Sequence, residues 1–167
     1  MIALGIDPGL TGGLCIVAGG SAPRVIDCID VPTTGADSKR RVDVHAVITF
    51  IQNNPPDFAF IERAQAMPDQ GASSGFNYGR AVGRLEACVE GLCIPLETVE
   101  PTAWKKAHGL IKREKEDSRQ RAIMLFPAAH AFFARKMDHG RAEAALIAHY
   151  GLKLKFVPKM GYALNRA

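Results

Sequence analysis

The chain opens with MIALGIDPGLTGG, residues 1–13, and this stretch decides the fold. Apolar residues alternate with small ones as far as Ile6, a pattern typical of a short buried strand. Asp7 follows at the strand end, and Pro8-Gly9 predicts a turn before a second apolar run over residues 14–18. The two runs predict a hairpin with Asp7 at the rim of a sheet. A carboxylate in that place can hold a hard cation, although the stretch alone favours a cap for its own turn.

A second apolar strand that ends on a carboxylate lies at residues 57–63, DFAFIER. It follows a predicted amphipathic helix that Asp43 can cap and that ends before Pro55-Pro56. Because a crossover helix separates this strand from the first, we expect the two strands to be parallel neighbours. Their carboxyl ends then place Asp7 and Glu62 on the same edge of the sheet, where open α/β folds have their active sites.

A third acidic residue, Glu143, lies on a predicted Ala-rich helix that runs from about His139 to Tyr150. The alanines predict close packing on the sheet, so Glu143 faces either solvent or the edge that carries the first two carboxylates. His139 lies four residues before Glu143, on the same helix face. Asp138 can cap the helix or turn toward the same place, and the residues favour neither role.

Acidic and imidazole groups that converge from two strand ends and one helix predict a site for hard cations. Two divalent ions bridged by Asp7 would activate a water and stabilise the leaving oxygen in phosphodiester hydrolysis. An imidazole can ligate such an ion or transfer a proton near pH 7. The candidate catalytic and metal-ligating residues are Asp7, Glu62, Glu143, His139 and Asp138.

The remaining patterns predict one α/β domain over residues 1–167, built on a mixed five-stranded sheet flanked by helices. Residues 66–78 are rich in Gly and Ser and predict a loop, whereas residues 153–167 predict a basic tail that is loose or extended. The other predicted elements are strands at 24–31 and 94–99, a loop at 32–41, and helices at 80–90, 101–109 and 114–126.

Basic residues are concentrated in the last third of the chain. Residues 1–100 carry 7 Lys+Arg against 12 Asp+Glu, whereas residues 101–167 carry 14 against 5. A basic C-terminal third beside a carboxylate-bearing N-terminal part suits an enzyme that holds a polyanion and cleaves it with metal. No apolar run is long enough to cross a bilayer and no secretion leader is evident, so we expect a cytoplasmic protein without a membrane partner.

Several segments together resemble the RuvC-type Holliday junction resolvases, a family with an RNase H-like fold. The core of the resemblance is Gly5-Ile6-Asp7-Pro8-Gly9 with Thr11-Gly12-Gly13, then Phe60-Ile61-Glu62, and then GRAEAALIA at residues 140–148. The segments MPDQG at 67–71, SSGF at 73–76 and PTAWKK at 101–106 are similar to phage-type members.

The resemblance implies a homodimer that binds a four-way DNA junction and nicks two strands symmetrically with Mg²⁺. It implies two ions per active site, Mn²⁺ as an alternative ion, and the cytosol of a bacterium or a phage-infected host. Asp7, Glu62 and Glu143 take the places of metal ligands. Members of the family usually carry a carboxylate or histidine where this chain has Gly140, so His139 or Asp138 has to supply the fourth ligand.

Contacts with DNA are expected from basic and aromatic residues outside the acidic set. Phe76 and Tyr78 can stack on bases at the junction centre or pack in the core, and the sequence favours neither position. Trp104 is expected in the core, and the helix at 80–90 is expected to form the dimer surface or to pack on its own sheet. The candidate phosphate contacts are Lys105, Lys106, Lys112, Arg113, Lys115 and Arg141.

Three other functions are compatible with parts of this pattern. The opening residues also resemble the first phosphate loop of actin-like and sugar kinases, but those enzymes need two such domains. A non-catalytic junction-binding protein has no need to gather Asp7, Glu62 and Glu143 where DNA lies, and that set therefore disfavours it. An RNase H-like nuclease for other branched or hybrid substrates is the remaining alternative.

Overall fold

The computed structural model describes residues 1–65 and 71–156, apart from the side chains of Ser38 and Lys115. Two short 3-10 segments, at Asp37–Lys39 and Pro127–Phe133, accompany the strands and helices. In chain order the elements are β1 Ile2–Asp7, β2 Gly13–Ala18, β3 Arg24–Asp30, β4 Thr33–Thr34, β5 Arg41–Val42, α1 Val44–Asn53, β6 Phe58–Glu62, α2 Ala72–Gly91, β7 Leu96–Val99, α3 Pro101–Ala107, α4 Lys115–Leu125 and α5 His139–Phe156.

Five strands form one mixed sheet in the order β3-β2-β1-β6-β7. The strands β1, β2 and β3 are antiparallel neighbours, whereas β6 is parallel to both β1 and β7. The predicted hairpin and the predicted parallel pair are therefore both confirmed. The helix between β1 and β6 is α1, whose predicted cap is also confirmed because the Asp43 side chain accepts a hydrogen bond from the Ala46 amide at 3.2 Å.

Each face of the sheet carries its own hydrophobic core. Side chains alternate between the faces of a strand, so Leu4 and Ile6 of β1 pack against residues of α1 and α2. Ala3 lies on the opposite face, among residues of α3, α4 and α5. The carboxylate of Asp7 belongs by this alternation to the face that α5 covers.

Close contact between α5 and β1 depends on glycine. A Cβ atom at Gly5 would lie 2.0 Å from the Ala144 carbonyl oxygen and 2.6 Å from the Ala148 amide nitrogen, both of which are backbone atoms. Only a residue without a side chain allows the helix to approach this near. The small residues of α5 therefore bring Glu143 to the sheet.

Two predicted boundaries are wrong. The helix α2 begins at Ala72, eight residues before the predicted start, so residues 72–78 of the predicted loop are helical, whereas residues 66–70 of that loop lie outside the described residues. The helix α5 continues past Gly151 to Phe156 because Gly151 packs directly on the Phe60 ring and does not end the helix. Residues 153–156 are consequently helical, whereas the rest of the predicted tail, residues 157–167, lies outside the described residues.

The predicted loop over residues 32–41 contains a small additional structure. The two-residue strands β4 and β5 pair with each other in it, with Thr33 opposite Val42. Such a short pair was not visible as an alternating pattern.

Within the described residues, no helix is long and apolar enough to cross a membrane.

Candidate active site

A cavity of about 280 Å³ opens where β1 and β6 end. Asp7, Glu62 and Glu143 all contribute to its wall, and so does His139. The structure therefore brings together four of the five residues in the predicted catalytic set, from two strands and one helix. All four side chains are half-buried.

The register of the sheet explains why Asp7 and Glu62 lie side by side. Ile6 pairs with Ile61 in the parallel ladder between β1 and β6, so Asp7 and Glu62 are the next residues on adjacent strand ends. Adjacent strands lie about 4.8 Å apart. Both side chains point to the face that α5 covers, because Phe60 of β6 lies in the core on that face.

Glu62 is held by a buried tryptophan. The Trp104 indole Nε1–H donates a hydrogen bond of 2.6 Å to Glu62 Oε2. Burial raises the pKa of Glu62 above its ordinary value, and the nearby Glu143 carboxylate adds to this rise. The Trp104 hydrogen bond and the Lys105 charge act in the opposite direction. Glu62 is thus a crowded, partly desolvated carboxylate whose charge a cation would stabilise.

Glu143 is held in a similar way from α4. The Ser118 hydroxyl donates a hydrogen bond of 3.0 Å to Glu143 Oε1, and Ser118 itself is buried. This contact joins the middle of α4 to the first turns of α5. Of the two orientations that the sequence left open for Glu143, the structure has the one toward the edge of the sheet.

His139 and Asp138 differ in position although they are neighbours in the chain. His139 lines the cavity. Asp138 is buried, and its carboxylate accepts hydrogen bonds from the Arg135 amide at 2.7 Å and from the Arg135 guanidinium at 2.6 and 2.9 Å. The structure therefore corrects the assignment of Asp138 as a catalytic and metal-ligating residue, because its oxygens are already engaged by a cation.

The glycine at position 140 has a steric cause. A Cβ atom there would lie 2.8 Å from the Gly12 carbonyl carbon and 3.0 Å from the Thr11 carbonyl oxygen. The first turn of α5 contacts the β1–β2 turn so closely that no side chain fits. A ligand at position 140 is excluded for this reason, and His139 is the imidazole that reaches the cavity.

The predicted phosphate contacts fall into two groups. Lys105 and Arg113 line the cavity beside the carboxylates, and Lys106 and Lys112 are exposed nearby in sequence. The side chain of Lys115 lies outside the described part of the structure.

Arg141 does not project into open solvent as a phosphate clamp would. Its guanidinium makes two hydrogen bonds of 2.7 Å to the Asp30 carboxylate at the end of β3. The phosphate contact of Arg141 stays a prediction, and two of the five N–H donors of its guanidinium are already bonded to Asp30.

The two predicted stacking residues have different surroundings. Phe76 is 70% exposed on the first turns of α2, with the Arg80 guanidinium 5.9 Å from its ring centre. Tyr78 packs against the core and against Gly9. Burial and then the charges of Asp7 and Glu62 raise the pKa of Tyr78 to about 12. Phe76 is thus available for stacking, whereas Tyr78 is partly buried against the core.

The donor set fits a hard divalent cation such as Mg²⁺, because three carboxylates supply oxygen ligands on one cavity. Their spacing is not that of a ready-made site. Across residues 1–65 and 71–156, no three His, Cys, Asp or Glu side chains are grouped as they are around a bound ion. The structure therefore supports oxygen ligands for a hard cation at this cavity.

Sequence reasoning missed three residues of this site. Glu114 and Ser118 line the cavity, and the indole of Trp104 holds Glu62, although only its place in the core was expected. A serine on a helix face that is otherwise apolar is a weak signal of a buried hydroxyl contact. Nothing in the local pattern indicates which carboxylate a buried indole meets.

Comparisons with solved structures identify proteins of the same fold. RuvC of T. thermophilus in complex with a Holliday junction substrate aligns with a TM-score of 0.67 over 92% of this chain and 96% of that chain, at 19% identity. The fowlpox virus Holliday junction resolvase aligns with a TM-score of 0.60 over 93% of this chain and 99% of that chain, at 12% identity. The yeast mitochondrial Holliday junction resolvase Ydc2 aligns with a TM-score of 0.57 over 92% and 81%, at 14% identity.

These similarities confirm the predicted RNase H-like fold, with its mixed five-stranded sheet and flanking helices. No protein-family model matches the chain, and no curated protein matches it.

Proposed function

We propose that this protein is a Mg²⁺-dependent, structure-selective endonuclease that cleaves four-way DNA junctions. The observation that carries the proposal is the cavity in which Asp7, Glu62 and Glu143 meet beside Lys105 and Arg113. Carboxylates beside basic residues are suited to holding metal and phosphate together. The same fold occurs in a RuvC that was solved with a Holliday junction substrate.

The residues of the cavity would have different roles in the cleavage reaction. Asp7, Glu62 and Glu143 would hold two Mg²⁺ ions, or Mn²⁺ in their place, and such ions supply an activated water and stabilise the leaving oxygen. Lys105 and Arg113 would hold the phosphodiester by charge-assisted hydrogen bonds. His139 would either ligate one of the ions or transfer a proton at the cavity wall.

A homodimer belongs to the proposal, because two symmetric nicks in one junction need two active sites. The helix α2 packs on its own sheet through Ala81, Val82 and Leu85, and it exposes Gly83 and Ala87 on the other side. This exposed side is the surface proposed to pair with a second copy. The proposed setting is the cytosol of a bacterium or a phage-infected host.

The test compares substrates under identical conditions. Purified protein is incubated with a synthetic four-way junction, a linear duplex of the same sequence and an RNA–DNA hybrid, each with Mg²⁺ and with EDTA. We expect paired nicks in the junction that require Mg²⁺ and little cleavage of the other two. Tight junction binding without cleavage would support an architectural protein, and preferential hybrid cleavage would support another RNase H-like nuclease; either result contradicts the proposal.

A single substitution tests the role of the acidic cavity. Asp7→Asn keeps the size of the side chain and removes the charge, so we expect junction affinity to be preserved and cleavage to fall by at least about 10³-fold. The measurement is single-turnover cleavage together with a gel-shift titration of the same preparation. Cleavage within tenfold of the wild-type rate would remove Asp7 from the mechanism.

A further inference from the structure

Two buried donors contact the Glu62 and Glu143 carboxylates of the cavity. Trp104 is fully buried, and its indole Nε1–H donates to Glu62 Oε2 at 2.6 Å. Ser118 is 3% exposed, and its hydroxyl donates to Glu143 Oε1 at 3.0 Å. In both pairs one carboxylate oxygen is hydrogen-bonded to the protein interior, and the other remains for a ligand.

The fold places each donor next to the element that carries its carboxylate. The helix α3 begins two residues after β7 ends, and β7 is the parallel neighbour of β6, which carries Glu62 at its end. The first turn of α3 therefore lies beside that strand end. The helix α4 packs on α5, the helix that carries Glu143. A buried indole N–H needs an acceptor, and the Glu62 carboxylate satisfies it.

We infer that Trp104 and Ser118 are positioning residues, which fix the orientation of Glu62 and Glu143 so that one oxygen of each faces the proposed metal site. This inference rests on the proposed function. Donors behind metal-ligating side chains restrict the rotation of the ligand, and less conformational freedom is then lost when an ion binds. Their removal weakens metal binding even when the ligands themselves are intact.

The first experiment needs neither metal nor activity. The chain contains a single tryptophan, so a ¹H–¹⁵N correlation spectrum of the labelled protein contains one indole N–H signal. We expect this signal far downfield, as for a hydrogen bond to a carboxylate, and shifted upfield in Glu62→Ala. The matched control is Glu100→Ala, since Glu100 lies at the start of α3 and pairs with Arg63 at 2.7 Å. An indole signal unchanged by Glu62→Ala would overturn the assigned contact.

The second experiment measures metal dependence. Trp104→Phe and Ser118→Ala each remove one donor, and we expect the Mg²⁺ midpoint of junction cleavage to rise by about 10- to 100-fold in each variant. Metal-free junction binding, measured in EDTA, is expected to stay within about twofold, because both donors are buried. The wild-type indole signal should also move on titration with Mg²⁺.

A core substitution separates positioning from general destabilisation. Phe133 is fully buried in the same core as Trp104, so Phe133→Leu loses stability without touching either carboxylate. We expect its Mg²⁺ midpoint to equal that of the wild type. Equal midpoints for wild type, Trp104→Phe and Ser118→Ala would overturn the inference. A wild-type protein that cleaves no junction would instead contradict the proposed function, and the indole spectrum would then still decide whether Glu62 is held by Trp104.

Discussion

Asp138 and His139 show how strongly a single position determines the role of a side chain. Asp138 directly precedes α5 and His139 is its first residue. Both residue types can ligate a metal ion. His139 reaches the cavity, whereas the Asp138 carboxylate is buried against Arg135, with the Arg141 guanidinium 4.0 Å away. At the start of a helix successive side chains diverge by about 100°. The type of residue alone therefore does not tell which of two neighbours enters a site.

Asp138→Asn tests the structural role assigned to this residue. Burial alone would raise the pKa of Asp138, but the hydrogen bonds and charge of Arg135 outweigh it, and the pKa lies below its ordinary value. A depressed carboxyl pKa contributes stability at pH values above the unfolded pKa of about 3.9, and this contribution is lost as the pH falls through the folded pKa. Arg135 is half exposed and remains solvated, so the expected loss at pH 7 is about 2 kcal/mol of unfolding free energy, the value for a charge-assisted hydrogen bond.

The measurement is urea unfolding of wild type and variant at pH 7, 5 and 3. The stability difference should be present at pH 7 and 5 and should shrink at pH 3. Junction cleavage by Asp138→Asn should stay near the wild-type rate, and His139→Gln should show the reverse, with lower cleavage and nearly unchanged stability. A large loss of cleavage in Asp138→Asn at unchanged stability would restore Asp138 to the catalytic set.

At the scale of elements, α5 is the piece that completes the site. It contacts β1 and β2 through small residues, and a Cβ atom at Gly13 would lie 2.5 Å from the Arg141 amide nitrogen. The same contact that builds the core thus sets the distance of Glu143 from the strand ends. Stability and site geometry are coupled through this one interface.

A pair of Gly→Ala substitutions tests this coupling. Gly5→Ala places a methyl group against the backbone of α5, so we expect a loss of about 3 kcal/mol in unfolding free energy by overpacking. Gly83→Ala is the matched control, because Gly83 is exposed on α2 and, beyond the helix's own backbone, no atom of the described residues lies within 4 Å of its Cβ position. Alanine in a helix interior is favoured over glycine, so this variant should gain about 0.5–1 kcal/mol.

Denaturant midpoints with unchanged slopes would give both values. Cleavage should fall in Gly5→Ala, even at temperatures where the variant is fully folded, because the helix that carries Glu143 must shift. Gly83→Ala is the control for stability alone, because Gly83 lies on the surface proposed to pair with a second copy. A fully stable and active Gly5→Ala would contradict the close approach of α5 to β1.

The five strands of the main sheet could be predicted because period-two alternation and the strand-end carboxylates are local signals. Asp7 and Glu62 follow from them together with the parallel pairing that α1 enforces. The end of α5 could not be predicted, since Gly151 has the same appearance in the sequence whether it ends a helix or packs on Phe60. The contacts of Trp104 and Ser118 join residues 42 and 25 positions apart, and no local pattern encodes such pairs.

At the scale of the whole molecule, the acidic side chains proposed as metal ligands lie beside the basic surface proposed to hold DNA. Residues 101–156 carry most of the basic side chains of the C-terminal third, including Lys105 and Arg113 at the cavity. A polyanion held there releases counterions from its phosphates, so its affinity falls linearly with the logarithm of salt concentration. The slope of that line counts phosphate contacts.

Lys106→Ala tests whether the exposed basic residues of α3 belong to this surface. Lys106 is exposed next to the cavity residue Lys105, so we expect the variant to bind a junction more weakly and to lower the salt slope by about 1. The control is Arg24→Ala: Arg24 pairs with Ala18, which pairs with Ile2, so it lies at the edge of the sheet opposite Asp7. Gel-shift titrations in EDTA between 50 and 200 mM salt, a range over which phosphate contacts change affinity strongly, give both slopes. Equal slopes for the two variants would place the DNA elsewhere on the molecule, whereas a lower slope for Lys106→Ala alone would place a backbone phosphate at the exposed face of α3.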